Sequence, residues 1–78
     1  MTWNKRIIRR ESPLGAVFSI HEVFYDDKGK VDGWTEAPVY LDGDDLDDLK
    51  LDFFLTANAF LKPVLVEVGD TLVEYRPE

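Results

Sequence analysis

The sequence predicts an α+β domain in which a three-stranded antiparallel meander is followed by one helix and a C-terminal strand or hairpin, with the helix packed on one sheet face. Three observations carry that expectation. Residues 16–25 are dense in β-branched and aromatic side chains and run through a glycine-bearing turn into a second β-prone segment. Between Asp44 and Pro63, apolar residues recur at spacings of three and four. Two short β-prone runs then flank Gly69-Asp70.

The first element, residues 3–11, reads as a strand with Trp3, Lys5, Ile7 and Arg9 on one face and Asn4, Arg6, Ile8 and Arg10 on the other. Neither face is uniformly apolar, which suits an edge strand guarded by charge. Ser12-Pro13-Leu14-Gly15 closes it as a turn. In the second strand, Phe18, Ile20, Glu22 and Phe24 share one face, while Val17, Ser19, His21, Val23 and Tyr25 share the other. Asp26-Asp27-Lys28-Gly29 follows as a type I turn, with Gly29 in the left-handed region of a bulge. Gly29 and Gly33 together are expected to set the hairpin's geometry. The returning strand spans about residues 30–41, and Pro38 places it at an edge, at a bulge or at the strand's end.

Asp44 is the expected N-cap of the helix, and Asp45, Asp47 and Asp48 complement its dipole. Leu46, Leu49, Phe53, Ala57 and Phe60 form its apolar stripe. Leu51, Phe54, Leu55 and Leu61 lie outside that stripe, so one small sheet cannot cover them all, and a homodimer is the economical explanation. Lys62 and Pro63 end the helix. Residues 64–68 and 71–75 form either a hairpin or a strand with a flexible tail.

At 78 residues the chain makes one domain (1–78), in the size range that buries only about 60% of its unfolded surface and needs further support. The absence of cysteine excludes disulfides, and a single histidine excludes the usual zinc sites, which leaves oligomerisation. No cofactor is expected. No apolar run has the length of a membrane span and the N-terminus lacks a signal-peptide core, so a cytoplasmic protein is expected.

The net charge of −7 is unevenly spread. Residues 1–10 hold four cations and no acid, so the remainder carries five cations against sixteen acids, or −11. Lys5, Arg6, Arg9 and Arg10 form a candidate basic patch, yet the acidic balance argues against nucleic acid and fits either a solubilised surface or one that meets a basic protein partner. No phosphate loop, nucleophile elbow or histidine pair occurs. The acidic run from Asp42 fails as a calcium loop, because the twelfth residue is Phe53 counted from Asp42 and Leu55 counted from Asp44. A regular strand turns His21 and Glu22 to opposite faces, so they do not pair as acid and base. The remaining candidate binding surface is the outer face of the hairpin, with His21, Tyr25, Trp34 and Glu36.

The pattern Ile20-His21-Glu22-Val23-Phe24-Tyr25-Asp26, Gly29, Gly33-Trp34-Thr35-Glu36, Pro38-Val39 and Lys62-Pro63-Val64-Leu65 resembles a family of small bacterial proteins of about this length. The resemblance covers roughly residues 3–65 and implies a bacterial, cytoplasmic origin but no activity. In architecture, three antiparallel strands, a helix and a short strand are similar to HicB-type antitoxins, without a matching antitoxin motif. The leading expectation is a non-enzymatic interaction module acting as a homodimer. The alternatives are an antitoxin-like or accessory protein that neutralises a basic partner, and nucleic-acid binding through the basic strand.

Overall fold

The computed structural model describes residues 2–76. Strands β1 (Thr2–Ser12), β2 (Gly15–Tyr25) and β3 (Val31–Trp34) lead into helix α1 (Leu46–Asn58), which runs on into a single 3-10 turn, Ala59–Leu61. Strands β4 (Leu65–Val68) and β5 (Thr71–Glu74) complete the chain. All five strands form one sheet in the order β3-β2-β1-β4-β5. The α+β class and the single helix are as the sequence predicts, but the sheet differs from the expected three-stranded meander, because β4 and β5 join it as a hairpin and make one curled sheet of five strands. Residues 77 and 78 of the expected tail lie outside the described residues.

The longest ladder joins β1 to β2 from Thr2↔Tyr25 to Ser12↔Gly15. Its tight turn places Gly15 at φ 119, and the next turn places Gly29 at φ 80, conformations that side chains with a Cβ rarely adopt. Asp26 organises that second turn. Its carbonyl accepts from Gly29 N–H at 3.0 Å, and its carboxylate accepts from the backbone of Lys28 and Lys30, each at 2.9 Å. Gly33, by contrast, has no positive φ and open space where a Cβ would stand, so the expectation that it shapes the hairpin is corrected.

The main correction concerns β1. Instead of guarding an edge it is the central strand, because Ile8 and Arg9 pair parallel with Leu65 and Val66 of β4. β3 is also shorter than the expected 30–41. Beyond Trp34 only Thr35 and Val39 still donate to β2, to the Glu22 and Ile20 carbonyls, and Pro38 between them has no N–H to offer.

The sheet curls strongly, so its principal core lies within its own inner face, opposite the helix. Ile8, Val23, Leu65 and Leu72 form this core, with Tyr25, Val31 and Trp34 packed against it. Trp34 Nε1 donates to Glu67 Oε1 at 3.1 Å, tying β3 to β4 across the opening of the curl. Only a minor contact lies under the helix, where Ile7 and Ala59 are buried. No described helix is long and apolar enough to cross a membrane.

Candidate functional site

Helix α1 starts one residue later than expected, because Asp45 rather than Asp44 is the N-cap, accepting from Asp48 N–H at 2.8 Å. It ends at Asn58 rather than at Lys62, tightening into the 3-10 turn before Pro63. Its orientation reverses the expected packing. None of its residues is buried, and Leu46, Leu49, Phe53 and Phe60 of the predicted core stripe are all exposed.

What faces the sheet is a polar and small stripe at i, i+4 and i+7: Asp52, Thr56 and Ala59. The cause is Lys5, whose position on β1 puts an ammonium under the helix with only 3% of its side chain exposed. A buried ammonium requires acceptors. Asp52 Oδ1 forms an ion pair with it, and Thr56 Oγ1 accepts from it at 3.1 Å. The other Asp52 oxygen accepts from Asp42 N–H at 2.9 Å, which ties the loop before the helix to the same point. The Lys5 ammonium and the Asp42 N–H hold the Asp52 carboxyl below its ordinary range. In that loop Gly43 runs against the backbone of Asp48 and Leu49, leaving no room for a Cβ.

With its polar stripe committed inward, α1 turns its large apolar side chains outward. Exposure is 54% at Phe53, 63% at Phe54 and 83% at Leu61. Leu51 and Leu55, the other expected interface residues, are exposed as well. The Phe53 and Phe54 rings meet edge to face at 5.7 Å. Leu41, Leu46, Leu49, Lys50, Phe53 and Phe54 line an open groove of about 650 Å³. A second cleft of about 600 Å³ lies on the other flank of α1, where Lys5, Glu22, Asp42, Asp48, Leu51 and Asp52 are among its walls.

The hairpin residues proposed as a binding surface are brought together only in part. His21, Tyr25 and Trp34 share the inner face of the curled sheet, where His21 is buried. Its Nδ1 lies 2.9 Å from the Thr35 carbonyl oxygen, which can only accept, so Nδ1 carries the proton. Nε2 is buried without a partner among the described residues. Burial is the largest influence on this imidazole and lowers its pKa from the ordinary value. Tyr25 donates to Asn4 Oδ1 at 2.7 Å and accepts from Arg6 at 3.3 Å. Glu36 lies past the end of β3, exposed, with its carbonyl accepting from Arg10 at 2.7 Å.

The expected basic patch is dispersed, because strand alternation sends Lys5 and Arg9 to the helix side and Arg6 and Arg10 to the inner side. Each cation is already engaged. Arg6 donates to the Pro63 carbonyl at 2.8 Å, and Arg9 pairs with Glu11 at 2.7 Å while stacking 4.7 Å from the Tyr75 ring centroid.

Sequence reasoning missed the Lys5–Asp52–Thr56 latch and the outward role of Leu46, Leu49, Phe53 and Phe60. The available signal was Asp52, Thr56 and Ala59 at helical spacing inside an otherwise apolar segment. Comparison with protein-family models, with curated proteins and with solved structures gave no match to this chain.

Proposed function

We propose that this protein is a non-enzymatic protein-interaction module that works as a homodimer through the outward face of α1. The observation that carries this reading is a helix whose polar stripe is spent on the sheet and whose Leu and Phe side chains are left in solvent. Taking roughly 200 Å² for an aromatic side chain and somewhat less for leucine, the exposed parts of Leu46, Leu49, Phe53, Phe54, Phe60 and Leu61 amount to about 700 Å². That exceeds the few hundred Å² of contiguous apolar surface usual on a monomer and approaches the roughly 800 Å² per partner of a standard interface.

The state of the titratable groups supports the same reading. His21 is buried and held by Thr35, and Lys5, although it borders the cleft beside α1, is clamped between Asp52 and Thr56 with only 3% of its side chain exposed. The division of Lys5, Arg6, Arg9 and Arg10 between two faces speaks against a phosphate-binding track, which requires clustered, available cations. A second reading, an accessory protein that neutralises a basic partner, is favoured by Asp45, Asp47 and Asp48 lying beside the apolar surface.

Phe54→Glu combined with Leu61→Glu tests the proposal, because both side chains are exposed and should not be needed for the protomer's fold. Light scattering after size exclusion is expected to show a dimer for the natural chain and a folded monomer for the variant. An unchanged dimer in the variant would place the interface elsewhere. A monomer for both would remove self-association, and titration with a small basic protein would then decide for the second reading.

A further inference from the structure

We propose that the second copy packs with its α1 antiparallel to the first, about a two-fold axis passing between Phe53 and Phe54. This rests on the homodimer reading and specifies its geometry.

The charge along α1 selects the direction. Asp44, Asp45, Asp47 and Asp48 crowd its N-terminal end, whereas Lys62 follows its C-terminal end and no acid lies between Thr56 and Lys62. A parallel pair would place eight carboxylates together and align the two helix dipoles. An antiparallel pair sets each acidic end beside the partner's Lys62 and opposes the dipoles.

The apolar pattern sets the centre. In an antiparallel pair centred between Phe53 and Phe54, facing residues have numbers that sum to 107. Leu46 then meets Leu61 of the partner subunit, Lys50 meets Ala57 of the partner subunit, and Asp45 meets Lys62 of the partner subunit. Phe53 and Phe54, already edge to face within one copy, become half of a four-ring cluster on the axis. The contact is isologous and therefore closes as a dimer.

The chain has no cysteine, so any introduced thiol is unique. The test uses full-length Lys50→Cys and Ala57→Cys, oxidised separately and as an equimolar mixture after subunit exchange. Leu46→Cys with Leu61→Cys serves as a second pair should either first variant misfold by circular dichroism. The expected result is a mixed disulfide dimer in each mixture, at least fivefold above the homotypic product of either variant alone. Homotypic cross-links as strong as the mixed one, in chains that light scattering shows to be dimeric, would overturn the antiparallel arrangement and leave the homodimer standing. Chains that are monomeric by light scattering and form no cross-link would overturn both.

Discussion

Replacing Asp52 with Asn removes the negative charge from the latch while keeping the side chain's size and an oxygen able to accept from Asp42 N–H. The Lys5 side chain is 3% exposed and that of Asp52 18% exposed, so Asn leaves a nearly buried ammonium without its counter-charge. Breaking a fully buried ion pair from one side costs about 3–5 kcal/mol. Asp52's partial exposure and the remaining Thr56 hydroxyl reduce that, and about 2 kcal/mol is expected. For a domain of this size, whose total stability is on the order of 4–10 kcal/mol, the loss is large. With a urea slope near 1 kcal/mol per molar, the midpoint should fall by about 2 M, followed by circular dichroism at fixed protein concentration so that association does not contribute. Lys5→Met together with Asp52→Leu should recover most of the loss, since an apolar pair of similar volume needs no counter-charge. A cost below about 0.5 kcal/mol for Asp52→Asn would refute the claim that this contact seats the helix.

Three further outcomes follow from the same geometry. Acidification should destabilise the protein in two stages. The neutral folded His21 has a lowered pKa, so stability falls as pH drops below the ordinary imidazole value near 6.5, where the unfolded chain takes up the proton first; the Asp52 contribution is lost below the ordinary carboxyl value near 3.8. Thermal midpoints between pH 3 and 8 measure both stages, and His21→Phe should flatten the upper one. Gly43→Ala should destabilise by about 1–3 kcal/mol by pushing the loop off Asp48 and Leu49, detected as faster hydrogen exchange at Asp42. Trp34→Phe removes the bond to Glu67 and should cost about 1 kcal/mol in urea.

The elements legible in the sequence are those whose causes are local. Gly29 and the Asp26 carboxylate specify the hairpin turn, alternation specifies the β2 faces, and Gly69 with Asp70 marks the turn between β4 and β5. The position of β1 was not legible, because its centrality depends on Leu65 and Val66, which lie more than fifty residues away in the chain. The helix orientation was hidden for a related reason. Apolar periodicity in α1 is usually read as a core face, but one buried lysine on β1 drew Asp52 and Thr56 inward and turned the Leu and Phe side chains out. The basic residues at 5, 6, 9 and 10 looked like a patch in one dimension, and the pleat divided them. His21 was recognised as a hairpin residue, although only the curl of the sheet shows that it is enclosed.

Sedimentation equilibrium of the full chain over low-micromolar to near-millimolar concentrations bears most directly on the central claim, that the outward face of α1 is covered by a second copy. The account predicts a mass of twice 9.0 kDa, reverting to 9.0 kDa in the Phe54→Glu, Leu61→Glu variant. A natural chain that remains at 9.0 kDa throughout would contradict it.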